Sequence, residues 1–189
     1  MNGKLYLVAT PIGNLEDITL RAIRILQEVD FVAAEDTRHT LKLLNHLGIS
    51  KPMISYHRHN EEVKTNVLIE KLVDGKNIAL VSDAGTPIIS DPGEEVVKVC
   101  IENNIEIVPI PGACAAVTAL IASGIDAKTF SFFGFLPLNK KLRKIKIEQI
   151  KSEEKTSILY EAPHKLIDTL KDLENKIGRQ KNCIGKRID

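Results

Sequence analysis

Short apolar runs of three to five residues alternate along this chain with longer segments that have helical spacing. Five runs have the length and composition of buried strands: Leu5–Ala9, Phe31–Ala34, Met53–Ser55, Ile78–Val81 and Ile105–Val108. Helices are predicted between and after them at 19–28, 37–47, 61–73, 93–103 and 113–123. Strands that alternate with helices at this interval favour βαβ crossovers, so the sequence predicts an α/β fold with a largely parallel sheet.

A second and smaller α/β unit is predicted to follow this sheet. Its expected elements are strands at Thr129–Phe133 and Thr156–Tyr160 and helices at 139–150 and 164–177. A short link with one glycine separates the two units, which predicts domains at 1–124 and 125–189. Because two strands bury little core, we expect the second domain to be incomplete, either in a fragment or in a half that a partner completes.

Charge is distributed unevenly between the two predicted units. Residues 1–127 carry 11 Lys/Arg against 17 Asp/Glu, and residues 128–189 carry 15 against 8. A basic part beside an acidic part indicates that a polyanion contacts only one of them. The alternative is that these lysines lie on solvated helix faces.

Three widely spaced cysteines, Cys100, Cys114 and Cys183, lack the pattern of a disulfide or zinc framework. We expect them to be small buried hydrophobic residues in a reducing compartment. Since neither a signal peptide nor a long apolar run is seen, the sequence predicts a cytoplasmic protein with no membrane contact.

Ligands of open parallel sheets bind at the carboxyl ends of the strands, and three loops there have unusual compositions. The first, Thr10–Asn14, has one glycine and so does not match the dinucleotide-binding Gly-x-Gly-x-x-Gly pattern; a plain tight turn is the alternative. No Walker phosphate loop occurs in the chain. The small residues of Pro109–Ala116 allow close approach to the backbone, for a ligand or for tight helix–sheet packing.

The loop Ser82–Gly93 is the strongest single indication of a binding site. It contains two prolines, two glycines and two aspartates, so it is long and stiff. A loop of this length with backbone polar groups to satisfy is typical of a functional segment. Asp91 is predicted to cap the next helix, with Pro92 just inside its start.

Six segments together resemble the tetrapyrrole methylase superfamily, whose members use S-adenosyl-L-methionine (SAM). They are Leu5–Asp17, Ala34–Arg38, Leu80–Gly93, Pro109–Ala116, Phe132–Pro137 and Tyr160–His164, in the family's order and covering the chain to about Lys176. Within the superfamily, the chain resembles most the ribosomal RNA small subunit methyltransferase I branch. This resemblance implies two α/β domains with SAM in the cleft between them, and 2′-O-methylation of a cytidine ribose in 16S rRNA of the small ribosomal subunit. It also implies a homodimer.

The resemblance carries ten cofactor-contacting positions over to this sequence. They are Ile12, Gly13, Asp83, Ala84, Gly85, Ile88, Cys114, Ala115, Tyr160 and Glu161. Those in the loop Ser82–Gly93 are expected to contact SAM mostly through their backbone. No metal is implied, and the sequence contains no cluster with metal-ligand spacing.

A ribose hydroxyl needs a general base or a strong acceptor to attack an activated methyl group. Glu35 and Asp36 are the candidates, with Arg38 available to hold a phosphate. The alternative for Asp36 is that it caps the helix starting at Thr37. The cluster at residues 57–59 is read as substrate contact, whereas His39 and His46 are read as structural.

The segment 140–151 is suited to contact RNA phosphates, through Lys140, Lys141, Arg143, Lys144, Lys146 and Lys151. Leu142, Ile145 and Ile150 are expected to give this helix its buried side. Two rivals remain: a porphyrin or corrin methylase, and an inactive SAM-binding remnant. The second arises because the resemblance implies a further strand where residues 178–187 break off, so we expect a chain shortened at its C-terminus.

Overall fold

A computed structural model describes residues 1–178 and 183–185. It divides into two compact units, a first unit spanning Met1–Cys114 and a second unit that begins at Ala115. The prediction placed the boundary after residue 124 and so put helix Ala115–Ala122 in the first domain, whereas the structure groups this helix with the second unit. That helix groups with the second unit because the backbone N–H of Ala116 donates to the Tyr160 hydroxyl at 3.2 Å.

The first unit contains a five-stranded sheet in which every pairing is parallel. Its strands are β1 (Leu5–Val8), β2 (Phe31–Ala34), β3 (Met53–Ser55), β4 (Ile78–Val81) and β5 (Ile107–Ile110). They lie in the order β3-β2-β4-β1-β5. The predicted α/β fold with a parallel sheet is confirmed.

Four helices cover the two faces of this sheet in pairs. They are α1 (Leu20–Glu28), α2 (Thr37–His46), α3 (Glu61–Val73) and α4 (Glu94–Glu102). Leu26 of α1 and Leu44 of α2 pack with Val8 in one core cluster. Leu68 of α3 and Val96 of α4 pack with Leu5 in another. Residues an odd number of positions apart in a strand point to opposite faces of the sheet, as Leu5 and Val8 of β1 do. α1 and α2 therefore cover one face, and α3 and α4 cover the other.

Two of the differences from the predicted boundaries lie on either side of α4. The sequence predicts β5 to begin at Ile105, but β5 begins at Ile107 and Ile105 lies in the turn that follows α4. Its N–H donates to the Cys100 carbonyl at 2.9 Å after Asn104 takes a left-handed backbone (φ 53°), and the Ile105 side chain is buried. The predicted cap Asp91 is also wrong, because α4 begins at Glu94 with Gly93 as its N-cap residue and no side-chain cap.

The described part of the second unit contains a parallel pair of strands and three α-helices. They are α5 (Ala115–Ala122), β6 (Phe130–Phe135), α6 (Lys140–Lys151), β7 (Thr156–Tyr160) and α7 (Leu166–Ile177). Its core cluster is small and has Leu136, Ile147 and Ile150 at its centre. The buried side predicted for α6 is partly wrong, since Leu142 and Ile145 are 55% and 49% exposed while Ile147 is buried.

The three cysteines differ in their exposure. Cys100 is buried, but Cys114 is half-buried and Cys183 is exposed, so the expectation of three buried thiols is wrong for Cys183. Most of the segment 178–187, where a break in the fold is expected, lies outside the described residues. Among the residues that are described, no helix is long and apolar enough to cross a membrane.

Candidate functional site

The strand order places a crevice at the carboxyl ends of β1 and β4. These strands are neighbours, but the chain leaves β1 towards α1 on one face of the sheet and leaves β4 towards α4 on the other. Adjacent loops that part in this way open a gap above the sheet, which is where ligands of open α/β sheets bind. The loops Thr10–Asn14 and Ser82–Gly93, singled out from composition, border this strand-end crevice.

A short antiparallel bridge joins the two loops at the floor of the crevice. The N–H of Thr10 donates to the Gly85 carbonyl at 2.9 Å, and the N–H of Gly85 donates to the Thr10 carbonyl at 3.0 Å. The Thr10 hydroxyl adds a bond to the Ser82 carbonyl at 3.2 Å. The Gly85 N–H is used in the bond to Thr10 and is not available to a ligand. The absence of a side chain at Gly85 leaves room for Ile12, because a Cβ there would lie 3.2 Å from Ile12 Cγ2.

The loop Ser82–Gly93 has a strained and well-anchored backbone. Ile88 and Ser90 have φ values of 75° and 71°, which residues with side chains rarely adopt. Such conformations persist only where the surroundings hold them. At the end of the loop the N–H of Gly93 donates to Glu61 at 2.9 Å, and at its start the Thr86 hydroxyl donates to the Ala113 carbonyl at 3.0 Å.

Three carboxyl groups meet beside this loop. Burial raises the pKa of Glu35 above its ordinary value, and the negative charges of Asp91 and Asp83 raise it further, against the Asp83 backbone N–H and the charge of Arg58. Burial likewise raises the pKa of Asp91, although a hydrogen bond from Ser82 and the charge of Arg58 oppose the shift. Asp83 accepts the N–H of Asp36 at 3.1 Å. The crevice is therefore bordered by concentrated negative charge.

The neighbouring carboxyl, Asp36, is in the opposite situation. It accepts hydrogen bonds from the Arg38 guanidinium at 3.1 and 2.8 Å and from the Arg38 backbone N–H at 2.8 Å. These bonds lower the pKa of Asp36. Asp36 is the N-cap of α2, so the helix-capping alternative is confirmed. Arg38 is 89% exposed at its side chain but already paired.

Two polar residues of the crevice, His39 and Thr40, were not predicted from the sequence to lie there. A small cleft between the β1 and β4 loops is lined by Thr10, Pro11, Leu15, His39, Thr40, Leu43, Ser82 and Asp83. His39 was read as structural, yet it lies on this cleft and is exposed, while Thr40 is buried. Their position in the first turn of α2, directly after the Glu35–Asp36 pair, is the signal that could have identified them.

The loop after β5 shows the tight packing that was one of the two readings left open for it, and the ligand contact stays a prediction. A Cβ on Gly112 would lie 2.8 Å from the Ala9 Cβ, so close packing accounts for that glycine. Cys114 is half-buried and follows Ala113, whose carbonyl is bound by Thr86. Gly13, predicted to face a cofactor, is exposed with a φ of 138°.

The site residues predicted in the second unit form a network of their own. Tyr160 lies edge-to-face with Phe132 and Phe135, at ring-centroid distances of 5.0 and 5.6 Å. Glu161 accepts the Thr169 hydroxyl at 2.6 Å and the Ala162 N–H at 2.8 Å. The remaining predicted residue, Ala115, begins α5 and is half-buried.

One member of the basic segment belongs to this network. Arg143 donates to Thr169 at 2.8 Å and to Asp172 at 2.8 Å, with its side chain only 19% exposed. Lys146 is half-buried over the Phe133 ring. The surface predicted to contact phosphates is thereby reduced to Lys140, Lys141, Lys144 and Lys151, all exposed.

Comparison with known proteins agrees with this arrangement. The sequence model of the tetrapyrrole (corrin/porphyrin) methylases matches residues 4–185. The chain belongs to this family. The fold agrees: the native form of uroporphyrin III C-methyl transferase from Thermus thermophilus superposes with a TM-score of 0.63 at 19% identity, over 94% of this chain and 78% of that one.

Within the tetrapyrrole methylase family, the chain is similar to curated proteins named ribosomal RNA small subunit methyltransferase I. The one from Haemophilus influenzae is 55% identical over 97% of this chain and 65% of its own length. Those from Halalkalibacterium halodurans and Bacillus subtilis are 58% and 52% identical, each over 98% of this chain and 64% of its own length. The chain thus spans somewhat less than two thirds of these relatives.

The backbone of the Ser82–Gly93 loop can be tested by a matched pair of glycine substitutions. Gly48→Ala adds a Cβ in open space at a φ of 66°, so we expect a loss of about 1 kcal/mol in the free energy of unfolding. Gly93→Ala adds a Cβ 2.8 Å from Leu80 and Ile88 at a φ of 135°, and we expect about 3 kcal/mol. Urea unfolding measures both; equal losses would contradict the tight loop packing.

Glu35 and Asp36 should contribute to the stability of the fold in opposite pH ranges. Glu35 has a raised pKa, so its stabilising contribution is present below its ordinary pKa and is lost as pH rises through the folded-state value. We expect Glu35→Gln to unfold at a higher temperature than the wild type at about pH 7, with the gap closing at about pH 3.

Asp36 provides the contrasting variant. Its pKa is lowered, so its contribution is present above the ordinary pKa and is lost as pH falls. Asp36→Ala should therefore be less stable than the wild type at neutral pH, with a smaller difference in acid. Thermal unfolding of both variants across pH measures this, and parallel curves for the two would show that their environments do not differ.

Proposed function

We propose that this chain is part of a SAM-dependent methyltransferase that methylates the 2′-hydroxyl of a cytidine ribose in 16S rRNA of the small ribosomal subunit. The observation that carries the proposal is the identity of 52 to 58% to three ribosomal RNA small subunit methyltransferases I over nearly the whole of this chain. The matched region includes both the strand-end loops and most of the second unit.

The chemistry of the strand-end crevice fits SAM. SAM carries a sulfonium and an ammonium, and the crevice is bordered by the carboxyl groups of Glu35, Asp83 and Asp91. Opposite charges at short range favour binding of such a cation. When bound, SAM supplies a methyl group that is already activated by the sulfonium. Ile12, Ala84 and Ile88, all half-buried, would hold it from the β1 and β4 loops.

The chain's own contribution is to orient the acceptor and take its proton. Glu35 suits the role of general base because burial and like charges raise its pKa, and a base works best when its pKa lies near the operating pH. Asp36 suits it poorly, since its carboxylate is bound by Arg38 and its pKa is lowered. Arg38 is paired with Asp36, and its contact to a phosphate stays a prediction. Of the three candidates, Glu35 is therefore the one we propose as catalytic.

Cys114, Ala115, Tyr160 and Glu161 stay predictions from the family resemblance, as does pairing into a homodimer. The Glu161 carboxylate is engaged by Thr169 and by its own neighbour, so a contact to SAM from this residue would have to compete with two hydrogen bonds. The Tyr160 hydroxyl accepts the Ala116 N–H at the start of α5, and its ring packs against Phe132 and Phe135.

Methyl transfer tests the proposal directly. The chain is incubated with methyl-labelled SAM and either small ribosomal subunits lacking the modification or a tetrapyrrole precursor. We expect label in 2′-O-methylcytidine, and Glu35→Gln should lower the transfer rate by about 10² to 10⁴-fold while SAM still binds in calorimetry. Label in the macrocycle alone would overturn the RNA assignment. SAM binding without transfer to either substrate would indicate that this chain binds SAM without catalysis.

The exposed lysines of α6 predict salt-sensitive binding to RNA. Each phosphate contact contributes about −0.7 to −0.9 to the slope of log K against log salt. We expect Lys144→Ala to reduce the slope by about that amount. Lys98, which is also exposed and lies on α4 of the first unit, provides the control: Lys98→Ala should leave the slope unchanged. Equal slopes for Lys144→Ala and the wild type would show that α6 does not meet the phosphates.

A further inference from the structure

The connection between β3 and α3 holds the far end of the Ser82–Gly93 loop at two points. Arg58, in this connection, donates a guanidinium hydrogen bond to the Ser90 carbonyl. Glu61, the first residue of α3, accepts the Gly93 N–H at 2.9 Å. Glu61 is itself held by the hydroxyl of Tyr56 at 3.2 Å, and Tyr56 is fully buried. The second anchor is therefore built into the core.

The first anchor acts where the loop backbone is strained. Ser90 has a φ of 71° and Ile88, two residues before it, has a φ of 75°. A backbone in this region costs energy and needs a partner that fixes it. The Arg58 guanidinium binds the carbonyl of Ser90 itself, and Asp91, which belongs to the carboxyl cluster, follows directly. Arg58 therefore contacts the backbone directly before Asp91.

Arg58 also supplies positive charge to the carboxyl cluster. Glu35 is faced by Asp83 and Asp91 from the Ser82–Gly93 loop and by Arg58 from the β3–α3 connection. Its chain neighbour Asp36 is neutralised by Arg38 at the start of α2. Burial and the two aspartates raise the pKa of Glu35, and the charge of Arg58 lowers it. Asp91 responds to Arg58 in the same direction.

We propose that Arg58 is a positioning residue: its guanidinium fastens the Ser82–Gly93 loop at Ser90 and so holds the carboxyl groups of this loop in place beside Glu35 for the transfer reaction. The inference rests on the proposed function, because only a reaction that uses the Glu35 carboxylate gives this positioning a purpose. The sequence alone grouped Arg58 with His57 and His59 as substrate contacts. The structure separates Arg58 from the two histidines: Arg58 binds Ser90, whereas the His57 ring lies 3.2 Å from the Asn60 amide and edge-on to the His59 ring.

Three variants separate the hydrogen bond that Arg58 makes to Ser90 from the effect of its charge on Glu35. Arg58→Gln removes the charge and disrupts the contact, and Arg58→Lys keeps the charge on a side chain without the planar fork. Arg24→Gln is the matched control, because Arg24 is also a surface arginine paired within the first unit, to Glu28 at 2.9 Å. Circular dichroism checks that all three fold.

Two measurements need no catalysis. In a carbon-13 NMR titration, the pKa of Glu35 should be higher in Arg58→Gln than in the wild type, and near the wild-type value in Arg58→Lys and Arg24→Gln. Hydrogen exchange of the Ser82–Gly93 amides should be about tenfold faster in Arg58→Gln, since a lost charge-assisted hydrogen bond of about 1.4 kcal/mol corresponds to a tenfold change. Unchanged titration and unchanged exchange in Arg58→Gln would overturn the proposal.

The pH profile of methyl transfer links this role to the reaction. We expect its acid limb to move to higher pH in Arg58→Gln and to return in Arg58→Lys. A wild-type chain without methyl transfer would count against the proposed function, while the titration and exchange results would still decide the role of Arg58. If Arg58→Gln alters only the salt dependence of RNA binding, Arg58 is a phosphate contact and the positioning role is wrong.

Discussion

The parting of two adjacent loops above a parallel sheet is the constraint on which the candidate site depends. β1 and β4 are hydrogen-bonded neighbours, yet the chain leaves them towards helices on opposite faces. A gap at this point needs no special residues, since it follows from the order of the strands. The residues close the floor of this gap through the Thr10–Gly85 bridge and border it with the carboxyl groups of Glu35, Asp83 and Asp91.

Electrostatics divides the work between two carboxyls that are neighbours in the chain. Glu35 is half-buried and faces other carboxyls, so its charged form is disfavoured, whereas Asp36 points at a guanidinium and the start of a helix, so its charged form is favoured. One group is thereby suited to exchange a proton and the other to hold structure. Burying an ionised Glu35 lowers the stability of the fold, and proteins often tolerate such a cost at functional sites.

Arg58 and Glu61 show how the site is supported from outside. Arg58 lies in the β3–α3 connection and Glu61 is the first residue of α3, and both bind the Ser82–Gly93 loop near its end. Tyr56 ties this support to the core of the first unit. In the second unit, Thr169 plays a similar part: buried between Glu161 and Arg143, it fixes one of the predicted site residues within its own unit.

The periodicity of the sequence was sufficient for the α/β class, for most strands and for the loops at the strand ends, because strand and helix spacing are local properties. It failed at Ile105, whose burial comes from the helix end before it, and at Leu142 and Ile145, since a helix with apolar residues on several sides does not reveal which side meets its neighbour. Which of Glu35 and Asp36 carries a shifted pKa, and which way, was likewise decided only by tertiary structure. Burial and charge partners distant in sequence, such as Asp91 and Arg58, set those values, and no local pattern encodes them.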